Sequence, residues 1–194
     1  MFTYIDIMKI TNFFPTRILT DFNHDFIPKL LPLCDKYTAQ SETDLLGVGN
    51  YPSTLANGDL NELVNDEPAV KEFFDYLIEN HARSLIEAKG IEFDRSIYKP
   101  YGFFSSMLRH AYLSKHAHQY CTFSGTYYLD IGKDVPSLVI HDPRPHSKFD
   151  FNQLQSQVVV NPQNGLLIMW DFYVEHEVFQ KTNDEPRKVF SFNI

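Results

Sequence analysis

A chain of 194 residues, 43% hydrophobic and 15% aromatic, holds enough apolar material for one compact core, and residues 1–194 read as a single domain. Its formal charge of -8, with 17 Lys and Arg against 25 Asp and Glu and no basic run, disfavours nucleic acid as a partner. Cys34 and Cys121 stand far apart without CxxC spacing, which suggests neither a disulfide framework nor a zinc knuckle and fits a reducing cytosol.

In chain order, residues 1–14 are interrupted by Asp6 and Lys9 and lack the basic and long apolar regions of a signal peptide. No run approaches the roughly 18 apolar residues of a membrane span. The chain is therefore expected to be soluble, cytoplasmic and without a membrane partner. Residues 21–37 carry helix-like spacing of Phe22, Phe26, Leu30 and Leu31, with Pro28 and Pro32 expected to split or shorten the helix. Residues 38–65, rich in Gly, Ser, Asn and Pro, read as a long surface loop able to close over a site. Residues 68–89 form the clearest element: Val70, Phe73, Phe74, Leu77, Ile78, Ala82, Leu85 and Ile86 recur at helical spacing. Pro68 suits the first turn and Gly90 the stop.

Residues 1–95 thus read as a helical support and loop region. After residue 95 short apolar segments predominate, at 123–129, 137–140, 157–160, 166–170, 178–180 and 189–193. They are punctuated by turns such as Asn161–Gly165 and Thr182–Pro186. Strands at this spacing suggest an antiparallel sandwich or barrel buttressed by the helix.

The chemistry-bearing residues lie in this second half. His116 and His118, two apart on an extended strand, point to one face and can grip one metal ion. A pair of hydrated surface histidines is the competing reading. His176, following a loop led by Trp170 and Asp171, adds a third imidazole, and neutral imidazole suits Fe, Zn, Cu and Ni. Of the other histidines, His24, His110 and His146 show no partner pattern. His81 falls on the apolar helical stripe as a hydrogen-bonded core or edge residue, and His141, beside Asp142, is the nearest further contender. Arg187 heads a strand, where its guanidinium either anchors a dicarboxylate by paired hydrogen bonds or sits on the surface among Glu185 and Lys188.

Taken together, His116-Ala-His118, Phe123–Leu129 with its SGxYYL pattern, Asp142-Pro-Arg144, Pro162–Trp170, His176-Glu-Val178 and Arg187–Asn193 resemble the Fe(II)/2-oxoglutarate dioxygenases. Within them the pattern is similar to an oxygenase family of bacteria and tailed phages, and the prolyl 4-hydroxylases share a related layout. Nothing before about residue 100 carries the likeness. The resemblance implies a mainly β fold with α, a double-stranded β-helix (jelly roll) over residues 96–194 buttressed by N-terminal helices. It implies iron held by His116 and His176, with 2-oxoglutarate bound through Arg187 and Tyr128.

His118 departs from the pattern by standing where most members place the Asp or Glu of a 2-His-1-carboxylate triad. Either His118 is the third ligand, the preferred reading, or Asp142 or Glu175 moves in. Val189 replaces a common Ser or Thr, and Ser191 is expected to serve instead. The implied activity consumes O2 and 2-oxoglutarate, releases succinate and CO2, and hydroxylates a C–H bond. The substrate is left between peptide or protein and small molecule, and an oligomer is left open. The cavity lining is expected from Leu166, Ile168 or Met169. The rivals are a three-histidine cupin-type dioxygenase without 2-oxoglutarate and a non-catalytic jelly-roll binding module; the bulk of His118 argues against a halogenase.

Overall fold

A computed structural model describes residues 16–42, 47–49, 51–144 and 156–194. Residues 1–14 and His146 lie outside the described residues, as does part of the expected 38–65 loop. Two antiparallel five-stranded sheets face each other across the molecule. The first has the order β1 (Ile18–Phe22), β8 (Leu166–Asp171), β5 (Phe123–Ile131), β10 (Arg187–Asn193) and β3 (Tyr101–Met107). The second runs β2 (Gly47–Val48), β4 (Tyr112–His116), β9 (His176–Val178), β6 (Leu138–His141) and β7 (Gln157–Val160). This is the jelly-roll architecture expected for the second half, with one addition. The N-terminal region is not only helix and loop, because β1 pairs with β8 from Ile18 against Trp170 to Phe22 against Leu166 and extends the first sheet.

The helices cover the outer face of that sheet. α1 (Ile27–Thr38) runs unbroken with Pro32 inside it. Pro28 sits in the first turn, where no intrahelical N–H bond is lost, and burial of Leu30 and Cys34 outweighs the single missing bond at Pro32. α2 (Gly58–Asp66) corrects the expectation of a loop over 38–65. Asn57 accepts a hydrogen bond from the Leu60 N–H as N-cap, and Leu60, Asn61 and Val64 are buried. Asn65 then bonds both N–H and C=O of Gly102, each at 2.9 Å, closing the free edge of β3.

The predicted helix over 68–89 is found as α3 (Pro68–Tyr76) and α4 (Arg83–Glu87), joined by a wider π-helical turn at Leu77–Ala82. His81 lies on that turn and meets Asp21 of β1 at 2.9 Å, the hydrogen-bonded core-edge role expected of it.

Strand alternation sorts the first sheet into two faces. Tyr127, Leu129, Leu167, Met169, Phe190 and Phe192 point toward the helices and join Phe73, Phe74, Leu77 and Ile78 in one aromatic-rich core. Tyr128, Leu166, Ile168, Trp170 and Val189 point between the sheets. Leu166, Ile168 and Met169 were candidates for the cavity lining, and none of them lines it: Met169 lies in the helix-side core, while Leu166 and Ile168 pack in the apolar cluster between the sheets.

Candidate metal and cosubstrate site

β4 and β9 pair so that His116, the last residue of one, stands directly opposite His176, the first of the other. Their rings are 4.3 Å apart between centroids. His118 is not on the strand, as the HxH spacing had suggested, since β4 ends at His116. A backbone hydrogen bond from the His118 N–H to Phe172 O turns the chain back, and the ring stacks on His176 at 5.1 Å with an interplanar angle of 1°. One ligand nitrogen from each of the three lies within 4.8 Å of the other two.

Their protonation suits a cation. Nδ1–H of His116 donates to Ser114 O at 2.7 Å and Nδ1–H of His176 to Val174 O at 3.2 Å, which makes Nε2 the ligand nitrogen of each ring, and Nε2 of His176 lies 3.4 Å from Nε2 of His118. Burial, and then the neighbouring His116, push His118 down to about 4. Burial, followed by His116 and His118, pushes His176 well below the usual histidine range. Neutral imidazoles crowded this closely present lone pairs rather than charges, and ligands must be unprotonated to bind metal.

No carboxylate joins the cluster among the described residues. Of the two alternatives, Asp142 is held by Arg144 at 2.5 Å and Glu175 by Lys115 at 3.0 Å. His141 is committed to Glu177 at 2.8 Å.

Beside the histidines a cavity of about 260 Å³ opens between the sheets. Arg187, at the head of β10, lines it while only 3% exposed. Its Nη2 donates to the Tyr128 hydroxyl at 3.2 Å, its guanidinium lies 5.0 Å from the Tyr128 ring centre, and its Nε is buried without a protein partner. Among the described residues no carboxylate pairs with it. Burial raises the Tyr128 phenol, with Arg187 opposing, so the hydroxyl stays protonated and can donate onward. Ser191 also lines the cavity, on the same face of β10 as Arg187.

The sequence reading missed Tyr51, whose hydroxyl meets Ser105 at 3.0 Å, and Leu55 as wall residues. Both come from the segment read as a surface lid. Thr126 and Trp170 were present in the quoted motifs but had been given no role, although strand parity with Tyr128 and Ile168 was available to place them.

A jelly roll that gathers three neutral histidines beside a buried, unpaired arginine defines a protein able to hold a metal ion and an organic anion together. Residues 103–193 match the family described as "Putative 2OG-Fe(II) oxygenase", a class of 2-oxoglutarate-dependent oxidoreductases. No protein of curated function matches the sequence.

Among solved structures, a Pseudomonas putida prolyl-4-hydroxylase is 14% identical with a TM-score of 0.59, the match covering 91% of each chain. A prolyl hydroxylase from Trichoplax adhaerens, in complex with a hypoxia inducible factor oxygen degradation domain peptide fragment, is 12% identical with a TM-score of 0.57, covering 91% of this chain and 81% of that one. HygX from Streptomyces hygroscopicus, with nickel, 2-oxoglutarate and hygromycin B bound, is 9% identical with a TM-score of 0.51, covering 92% and 83%. At these identities the likeness establishes the fold alone. Among the described residues no helix is long and apolar enough to cross a membrane.

Proposed function

We propose that His116, His118 and His176 hold Fe(II), that Arg187 and Tyr128 bind the distal carboxylate of 2-oxoglutarate with Ser191, opposite Thr126, lining the cavity further along, and that the protein hydroxylates a C–H bond of a substrate. The observation that carries this reading is Arg187. A guanidinium cannot discard its proton, and one buried without a counter-ion is costly unless an anion joins it. A carboxylate in the cavity would meet the free Nε–H and the Tyr128 O–H together, a two-point contact of the charge-assisted kind. The donor set fits the ion as well: three imidazoles are borderline ligands suited to Fe(II), and two have their Nδ1–H fixed by backbone carbonyls.

When bound, iron and 2-oxoglutarate supply the oxidation, in which O2 converts the keto acid to succinate and CO2 and an oxygen atom is inserted at the C–H bond. The protein's own residues do the rest. Arg187 and Tyr128 orient the keto acid along β5, while Leu138, Val178 and Val189 exclude water. Leu55, Tyr101 and Phe103 present an apolar and aromatic wall to an organic substrate, peptide or small molecule. His118 in place of a carboxylate leaves the ligand set without negative charge, so the keto acid provides the anions.

The test is succinate release from 2-oxoglutarate under air with Fe(II), alongside anaerobic binding of 2-oxoglutarate. We expect turnover in the wild type and its loss in His176→Ala together with metal binding. A cupin-type dioxygenase would keep its activity in Arg187→Gln, whereas the proposed enzyme loses cosubstrate affinity.

A further inference from the structure

Three buried polar atoms in side chains that line the cavity have no protein partner among the described residues: Arg187 Nε, Thr126 Oγ1 and Trp170 Nε1. The first is explained by the anion proposed above, and the other two are not. Thr126 stands opposite Ile168 across the β5–β8 pair, and Trp170 stands opposite Ser124, so hydroxyl and indole are diagonal neighbours on the cavity face. Trp170 also borders the metal cluster, its ring edge against His176 with centroids 4.7 Å apart. Leaving a buried donor without an acceptor costs about 1–3 kcal/mol, so two adjacent ones in one cavity wall mark a place where a ligand supplies the acceptors.

The spacing along β5 says which ligand atoms these are. Thr126 and Tyr128 are alternate residues on one face, about 7 Å apart along the strand. The two carboxyl carbons of 2-oxoglutarate are separated by four single bonds of about 1.5 Å, so the extended molecule spans about 5 Å between them, with oxygens reaching further at each end. A molecule seated on Arg187 and Tyr128 therefore carries its keto-acid end to the level of Thr126 and Trp170, beside His176.

We propose that Trp170 Nε1–H and Thr126 Oγ1–H donate hydrogen bonds to the keto-acid carboxylate, so that the cavity grips the cosubstrate at both ends. This rests on the reading of Arg187 given above. It makes the β5 face a length gauge: 2-oxoadipate, one methylene longer, and 2-oxobutyrate, which lacks the distal carboxylate, both fit worse than 2-oxoglutarate.

The experiment is anaerobic titration calorimetry of 2-oxoglutarate into the full chain loaded with Mn(II), followed in parallel by fluorescence, since Trp170 is the only tryptophan. Thr126→Val is close in shape, and Trp170→Phe keeps a ring without the N–H. Each is expected to weaken binding about tenfold, the scale of a lost hydrogen bond to a charged group. Unliganded Thr126→Val should melt at or above the wild-type temperature, because an unsatisfied hydroxyl has been removed. Arg187→Met separates the two levels of inference. If it weakens binding while Thr126→Val and Trp170→Phe bind within twofold of wild type, the second grip is wrong and the cosubstrate reading stands. If Arg187→Met binds like wild type, both fall. Should Trp170→Phe misfold, Thr126→Val alone decides.

Discussion

The two faces of the β5–β10 pair are built from the same strands and behave as opposites. On the helix side Tyr127, Phe190 and Phe192 pack with Phe73 at ring distances of 5.0, 5.8 and 6.2 Å, and the face is closed. On the cavity side Thr126, Arg187 and Ser191 line a void, with Thr126 Oγ1 and Arg187 Nε lacking a protein partner among the described residues. One face secures stability through area and density, while the other gives up stability to keep donors and a charge in place for a ligand. Core mutations should therefore change folding and spare binding, and cavity mutations should do the reverse.

The largest effect expected is from the closed face. Phe190→Ala removes a fully buried ring in contact with Phe73, Phe74 and Phe104, and should cost about 3–5 kcal/mol in denaturant unfolding. Any variant that remains folded should bind metal at the wild-type stoichiometry. Arg187→Met is the mirror case. It should lower 2-oxoglutarate affinity by about 2–5 kcal/mol in calorimetry, the range found when one partner of a buried charge pair is truncated. Unliganded stability should hold or rise, because a buried uncompensated charge is gone. A fall in stability comparable to Phe190→Ala would erase the contrast between the faces.

Acidification tests the metal cluster. His118 and His176 are depressed in the folded state, so between the unfolded value near 6.5 and the folded one the unfolded chain binds more protons. The contribution of the neutral rings is complete above about pH 6.5 and is lost as pH falls toward 4. For His118 the loss is on the order of 3 kcal/mol, readable from urea midpoints between pH 7 and 4. His118→Ala and His176→Ala should each flatten this slope while reducing metal affinity.

Much of this was legible in the sequence, and the exceptions have causes. Strands with strong punctuation were readable, and β7 was located at its observed bounds because Asn161-Pro162 ends it sharply. The strand expected at 178–180 lies at His176–Val178, since its pairing is set by His116 and Ile140 rather than by the apolar run itself. The last two residues of β1, Asp21 and Phe22, were read as the start of a helix because Phe22 matched a 3.6-residue spacing with Phe26, a match that pairing with β8 overrides. α2 was hidden because Gly58 and Asn57 read as loop residues, whereas they are a helix start and its cap. His116, His118 and His176 could be brought together on paper by motif order. That Glu175 is occupied elsewhere could not, because its partner Lys115 is brought to it only by folding, whereas Asp142 is held by Arg144 two residues along the same turn.

The smallest effect expected concerns His81, one of the histidines that the metal cluster does not use. His81 differs from the triad in having an acid: Asp21 Oδ2 lies 2.9 Å from its Nε2 and 3.0 Å from the Tyr76 hydroxyl, which donates to it. Burial would push the Asp21 carboxyl up, but the hydrogen bonds from His81 and Tyr76 outweigh it and hold the group below the usual carboxylate range. It is thus ionised at neutral pH, and its contribution is present above the unfolded value and lost as pH falls through the lower folded one. Asp21→Asn preserves the shape and removes only the charge from bonds that are 40% exposed on the Asp side, so about 1 kcal/mol of stability should go. Metal stoichiometry and 2-oxoglutarate affinity should not change, because the Asp21 carboxylate bonds His81 and Tyr76 on the helix side, and its β8 partner Leu167 belongs to the helix-side core. If Asp21→Asn reduced metal or 2-oxoglutarate binding, the helix-side face would be coupled to the site and the two faces of the sheet could not be treated as separate functions.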